Sequence, residues 1–303
     1  MHAWEAIQKT LNHIEDHISE ETQVEELAEI AMLSPFYYQR LFTRLVKKPV
    51  REYIKLRRLA RACCVLREKE NRILDVAVEY GFCSHETFTR SFKDAYGITP
   101  AQYRKRPIGL DHFDKPDLLL NYVMIDEGVP LVSDGLVLEM NRKTLEEPIS
   151  FMGKKGNYPF VHGKMLGERP GVSPSIEIWN GFIQVLQEIP HLSGGRQIGV
   201  CYKGDAPEGH TSYFAGVEVE SGRESPRFAS WRLPAREYVV CGFEAEDFEQ
   251  LAPAALGKAM KYTRLWLKKH GLIADGFFPE LYYPSSPDTA YMELWIPFKQ
   301  RDE

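Results

Sequence analysis

Apolar residues recur at helical spacing through the first third of the chain and at alternate positions through most of the rest. Ser34 reads as an N-cap and Pro35 as a first helical residue, with Tyr38, Leu41, Phe42 and Leu45 on one stripe. Phe36, Tyr37, Gln39, Arg40, Thr43 and Arg44 are left outside that stripe. The same pattern returns downstream. Gly81 suits a tight turn, Ser84 caps a helix starting at His85, and Phe88, Phe92 and Ala95/Tyr96 form the buried stripe. His85, Glu86, Thr87, Thr89, Arg90 and Lys93 then face outward, Gly97 stops the helix, and Thr99-Pro100 opens a further short one.

Ser34/Ser84, Arg40/Arg90 and Phe42/Phe92 are each 50 residues apart. A first-helix pattern precedes each copy, Val24, Leu27, Ala28 and Ile73, Val76, Ala77, with a small Ala where two helices must cross closely. Thr22 and Glu25 read as a capping box. Between the copies, Val50 to Lys69 predicts one long helix with a basic face of Arg51, Lys55, Arg57, Arg58, Arg61 and Arg67. Such a helix spans roughly 30 Å, close to the ~34 Å turn of B-DNA. Two recognition helices held that far apart can enter successive major grooves. A small helical domain with a solvated basic surface carries the same capped helices; the doubling and the charge distribution favour the DNA reader.

The net charge of −5 by itself argues against a nucleic-acid partner, but its distribution reverses the inference. Residues 1–31 hold one Lys/Arg against eight Asp/Glu, residues 32–107 hold 17 against seven, and residues 108–303 hold 20 against 28. A basic block between acidic ones is the footprint of a DNA-binding face. The five cysteines, Cys63, Cys64, Cys83, Cys201 and Cys241, are scattered without zinc spacing, so no metal or other cofactor is expected and a reduced cytoplasm is. No apolar run is long enough to cross a membrane.

Residues from about 5 to 107 resemble the DNA-binding domain of the AraC/XylS family of transcription regulators, most specifically from Gly81 to Arg104. The resemblance implies seven helices, two helix-turn-helix units and a double-stranded DNA partner, with RNA polymerase as a further candidate partner. By position it implies Phe36, Gln39 and Arg40 as major-groove residues of the first unit, and His85, Glu86, Thr87 and Arg90 of the second. Thr43, Arg44, Thr89 and Lys93 are placed for phosphates, which position without specifying.

The exit from this domain (1–107) reads as the polar stretch Lys105 to Pro116, with 108–135 as linker. From 136 to 303 the order is strand–strand–helix–strand–strand, twice: 136–142, 149–155, a helix over 175–189, 197–203, 212–220; then 227–233, 237–245, a helix over 253–270, 279–283 and 289–298. The fold class is therefore multidomain, an all-α domain followed by an α+β domain of two pseudo-symmetric halves. On the last strand Tyr291, Glu293 and Trp295 share one face. A carboxylate between two aromatics suits an organic cation; an ordinary exposed Glu beside half-buried rings is the plainer reading.

Residues from about 147 to 299 resemble the GyrI-like (BmrR-type) effector-binding domain, on Tyr291-Met-Glu-Leu-Trp-Ile-Pro-Phe298, Phe214-Ala-Gly-Val-Glu218 and Pro279-Glu-Leu-Tyr282. The resemblance implies a pocket for an amphipathic or cationic small molecule, with Glu293 central. Trp179, Tyr238 and Tyr282 join Tyr291 and Trp295 as pocket candidates by placement. Pro279 stands where an aromatic is expected, so Glu280 receives no role at this level. The combined expectation is a ligand-responsive transcription regulator and not an enzyme. The alternatives are a C-terminal hydrolase, with Glu293 and Tyr291 or Tyr238 as base and acid, or a protein-binding inhibitor module.

Overall fold

The computed structural model describes residues 2–67, 71–118, 126–133, 136–159, 170–190, 192, 194–223, 225–245, 255–284 and 290–300. It divides into two compact units, Met1–Val123 with Leu166–Ser173, and Met124–Met165 with Pro174–Glu303. The end of the long helix at 68–69, the start of the second domain's later helix at 253–254, residue 289 and part of the 108–135 stretch lie outside the described residues.

Among its described residues the first unit holds seven helices: α1 (Ala3–Asp16), α2 (Val24–Ile30), α3 (Pro35–Val46), α4 (Val50–Leu66), α5 (Ile73–Glu79), α6 (His85–Tyr96) and α7 (Pro100–Lys105). It has two cores because α4 serves both. Val50, Tyr53 and Leu56 pack with α1–α3 around Tyr38 and Phe42. Leu59, Ala62, Cys63 and Leu66 pack with α5–α7 around Phe88, Phe92 and Tyr96. Ala28 and Ala77 are both buried at the crossings.

The caps follow the pattern for α3, α6 and α7. Ser34 Oγ accepts from Tyr37 N–H and Ser84 Oγ from Thr87 N–H. Thr99 and Gln102 cap each other reciprocally. The Thr22–Glu25 capping box does not form. α2 starts one residue later, with Gln23 as an N-cap that makes no side-chain cap bond.

The two turns match at an offset of 49, whereas the recognition helices match at 50, because the second turn contains one more residue. Met32 (φ 55°) stands in the left-handed region where Gly81 (φ 70°) stands in the second copy. Leu33 N–H returns to Ala28 O, as Phe82 N–H does to Ala77 O, both at 2.9 Å. Likewise Lys47 (φ 62°) ends α3 where Gly97 (φ 78°) ends α6. A side chain in this conformation costs roughly 1–2 kcal/mol, so the first copy keeps the geometry without the residue that announces it.

The stretch after residue 107 belongs to the helical unit. Leu110 is buried with Phe92 and Tyr103, and Phe113 and Leu118 are buried in the first core. A short strand β1 (Leu110–Asp111) pairs antiparallel with β5 (Gly171–Val172). The apolar positions in this polar-looking segment are its anchors.

The second unit is built on one large antiparallel sheet. Its strands are β2 (Leu131–Ser133), β3 (Leu136–Thr144), β4 (Ile149–Pro159), β6 (Gln197–Tyr202), β7 (His210–Val219), β8 (Ala229–Leu233), β9 (Glu237–Ala245), β10 (Leu272–Ala274), β11 (Phe277–Tyr282) and β12 (Ala290–Gln300). The order is β2-β3-β9-β12-β11-β6-β7-β4-β8, with β10 on the far end of β12. The halves meet at β11–β6 and exchange their outermost strands, since β3 pairs with β9 and β8 with β4. Helices α8 (Ile176–Val185, continued by a 3-10 turn) and α9 (Leu256–Lys269) cover one face. The α9 stripe holds at Leu256, Thr263 and Leu267, which are buried, and widens to Ala259, Tyr262 and Trp266, whereas Met260 is only half-buried. On α8, Phe182 is buried but Ile183 is exposed.

Candidate DNA-binding face and ligand site

On α3, Phe36, Gln39, Arg40, Thr43 and Arg44 are all exposed, Phe36 to 75%. On α6, His85, Glu86, Arg90 and Lys93 are exposed. Arg40, Arg44, Arg90 and Lys93 make no ion pair with a described residue, so their charge is available to phosphates or guanine edges. Thr87 is half-buried and its hydroxyl accepts from Ser84 Oγ. Thr89 departs from its expected place. Its Oγ1 is buried, although the residue as a whole is half-exposed. Glu86 is exposed, and backbone N–H at the helix start, then Ser84, hold its carboxyl below the usual range. It therefore acts first as a helix N-terminal acid.

The basic face of α4 is largely turned to internal use. Arg57 forks onto Glu15 and donates to Phe113 O. Arg58 donates to Ile18 O, Glu20 O and Gly81 O. Arg61 reaches Glu15, and Arg67 donates to Tyr103 Oη. Arg51 and Lys55 remain exposed. These arginines tie α1, α4 and the second turn together, which a one-dimensional charge count cannot distinguish from a phosphate-binding stripe.

In the strand-rich unit the expected pocket residues separate into two groups. The β11–β12 register sets Leu281 opposite Glu293 and Glu280 opposite Leu294. Paired residues share a face, so Glu293 and Glu280 project from opposite faces of the sheet.

Glu293 is 2% exposed. Lys143 Nζ, Tyr283 Oη (2.6 Å), Tyr291 Oη (2.7 Å) and Trp295 Nε1 (2.8 Å) all donate to it. Lys143 also lies 5.7 Å from the Trp295 ring centre. A carboxylate has about four acceptor sites, and four donors occupy them. Burial alone would raise its pKa, yet Lys143 and the three ring donors outweigh burial and hold it below the usual range. Tyr238 packs against Trp295 but donates to Pro234 O. The carboxylate and aromatics predicted for a foreign cation thus meet the chain's own, partly exposed ammonium; of the two acid–base pairs expected, Glu293–Tyr291 is hydrogen-bonded and Glu293–Tyr238 is not.

Trp179 and Tyr282 lie on the helix-covered face, around Glu280. Tyr213 Oη (3.1 Å) and Tyr282 Oη (2.9 Å) both donate to Glu280 Oε2. Among the described residues Oε1 receives no donor and no cation is paired with either oxygen. Trp179 Nε1 donates to Tyr213 Oη at 2.9 Å, and its ring meets Tyr282 edge-on at 5.0 Å. A Cβ on Gly199 would lie 2.2 Å from Tyr213 Oη, 3.0 Å from Glu280 Oε2 and 3.1 Å from Trp179. Only glycine fits beneath this group. Burial pushes the Glu280 carboxyl up to about 7 against the two phenol donors. Glu280, Tyr213 and Gly199 are not among the residues expected from sequence. The available signal was the alternation Glu280/Tyr282, the same carboxylate–aromatic spacing as Tyr291/Glu293.

Among the described residues no helix is long and apolar enough to cross a membrane, and no cluster of potential metal ligands occurs. All five cysteines are free.

Comparison with known proteins agrees with the two-unit division. Residues 27–106 match a family described as a helix-turn-helix domain. An uncharacterized HTH-type transcriptional regulator, YbfP of Bacillus subtilis, is 41% identical over 104 residues, 34% of this chain and 35% of that protein. The right origin-binding protein of Escherichia coli K12 is 30% identical over 172 residues, 55% of this chain and 59% of that protein. The chain thus spans about a third to three fifths of these relatives' length. A solved structure, SAV2435 bound to tetraphenylphosphonium, covers 53% of this chain and 94% of its own at 21% identity and a TM-score of 0.39. Residues 142–299 match the GyrI-like small molecule binding domain, more than half of the sequence, and the chain belongs to that family, with an AraC-type helix-turn-helix domain preceding its GyrI-like domain.

Proposed function

We propose that this protein is a sequence-specific DNA-binding transcription regulator whose GyrI-like domain binds an amphipathic organic cation at Glu280. Arg40 and Arg90 read bases from α3 and α6, with Phe36, Gln39, His85 and Thr87 beside them. Arg44, Lys93 and the Thr43 hydroxyl meet phosphates. The reading places the protein with chromosomal DNA in the cytoplasm and makes RNA polymerase its downstream partner. It assigns a binding role and no catalytic step.

The observation that carries the effector is the uncompensated carboxylate. A buried carboxylate without a cation is costly, and among the described residues Glu280 meets only the phenols of Tyr213 and Tyr282, with Trp179 beside them. A cation with apolar substituents would supply the missing charge and use the rings for cation–π attraction. Glu293 is the poorer candidate because Lys143 already fills that role. The test is titration of the full chain with a cationic dye and with its uncharged analogue, read by Trp fluorescence. The cation should bind the wild type at least tenfold tighter than it binds Glu280→Gln, and Glu293→Gln should retain dye affinity within about twofold. Equal affinity of the dye for the wild type and Glu280→Gln would remove Glu280 from the site.

A further inference from the structure

We infer that residues 170–173 act as a covalent strap that passes the state of the Glu280 site to the second helix-turn-helix unit. The inference rests on the reading of Glu280 as a ligand site. β5 lies some sixty residues downstream of β1 in sequence, between β4 and α8, yet it is part of the helical unit. Leu110 pairs with Val172, Asp111 with Gly171, and Ser173 N–H donates to Gly109 O at 3.1 Å. β5 packs against α6, the second recognition helix.

β1 is itself fixed to that helix. Leu110 is buried beside Phe92, Tyr96 and Tyr103. Tyr96 Oη lies 2.9 Å from His112 Nδ1, and the two rings meet edge-on at 5.6 Å. Burial, then the Arg57 and Arg67 charges, push the imidazole down to about 4, so this anchor stays uncharged near neutral pH.

From Ser173 the chain reaches the first residue of α8, Ile176, in three steps, at most roughly 10 Å of extended backbone. The first turn of α8 carries Trp179, bonded to Tyr213, which is bonded to Glu280. A cation brought to Glu280 acts on Trp179 through the Tyr213 hydrogen bond and the Tyr282 ring contact, and through Trp179 on the first turn of α8. So short a tether transmits displacements on the scale of a helical turn. The receiving element is a bridge of two residue pairs, weak enough to open or tighten without unfolding the core behind it.

The test compares the full-length wild type with Ser173→Pro, which removes the N–H donated to Gly109, and Ser173→Ala, which keeps it. Each is measured for affinity to a duplex selected from a random pool by the wild type, with and without a saturating cationic dye. Dye affinity is followed separately by Trp fluorescence. The wild type and Ser173→Ala should change duplex affinity about fivefold or more on dye binding. Ser173→Pro should bind dye and bare duplex normally but respond less than twofold. A full response in Ser173→Pro, or dye binding to the wild type with unchanged duplex affinity, overturns the strap and leaves the ligand reading intact. If no dye binds, the ligand reading fails, and the duplex alone still tests the strap. Hydrogen exchange at the amides of residues 171–179 should then change on duplex binding by the wild type, and unchanged exchange overturns the inference.

Discussion

Glu280→Gln should make the ligand-free strand-rich unit more stable at pH 8 while removing its response to a cation. Burial raises the Glu280 carboxyl from 4.5 to about 7. At 1.36 kcal/mol per pKa unit, ionising it in place costs roughly 3 kcal/mol. The folded state binds the proton more tightly than the unfolded chain. Its contribution is therefore fully present below pH 4.5, declines as pH rises toward about 7, and is gone above that. Glutamine preserves the shape and an acceptor for Tyr213 and Tyr282 without ionising. The stability difference between Glu280→Gln and wild type should thus grow from near zero at pH 4.5 to about 3 kcal/mol at pH 8. Other titrating groups cancel in this difference. Four of the five tryptophans, Trp179, Trp231, Trp266 and Trp295, belong to this unit. In a Trp4→Phe background, urea unfolding followed by fluorescence therefore reports on it alone. A cationic dye at a hundred times its dissociation constant should return about 2.7 kcal/mol to the wild type and little to the variant. A difference that is flat from pH 5 to 8 would refute the claim that Glu280 is buried without compensation.

Lys143→Met removes the cation from Glu293, and, discounted for the partial exposure of Lys143, should cost about 1–2 kcal/mol in urea unfolding of the same unit; unchanged stability would show that the three ring donors suffice. Arg90→Ala and Arg40→Ala should each weaken binding to a selected duplex by about 1–3 kcal/mol and relax preference at one base position, visible by repeating the selection with each variant. Lys47→Gly should stabilise the helical unit by up to about 1 kcal/mol through relief of the left-handed backbone at φ 62°, whereas Gly97→Ala should lower its stability by a similar amount in thermal unfolding.

The helical half was legible because its signals are local. Caps at Ser34, Ser84 and Thr99, stripes at Tyr38/Phe42 and Phe88/Phe92, and the stop at Gly97 each depend on residues within a turn or two. Where a local signal is absent the sequence misleads. Met32 and Lys47 hold glycine-like backbone without being glycine, and Gln23 caps α2 without a side-chain bond. Thr89 lies at the margin of the stripe, where one position decides between solvent and core, and its hydroxyl is enclosed. Leu110, Phe113 and Leu118 are too sparse to show a period, and only their burial makes the stretch after residue 107 part of the helical unit.

Sequence alone determined the order of elements, the doubling of the helix-turn-helix, the two-half plan of the second domain and the alternation on the last strand, because each follows from spacing along one element. Tertiary structure decided which charges are spent and which are available. Glu15 and a row of backbone carbonyls claim Arg57, Arg58 and Arg61 of α4, and Lys143, 150 residues away in sequence, claims Glu293. The register between β11 and β12 sends Glu280 to the other face, where no cation of the described residues meets it. A carboxylate's role depends on its nearest donors and its access to water, and both are set by strand pairing between residues far apart in the chain.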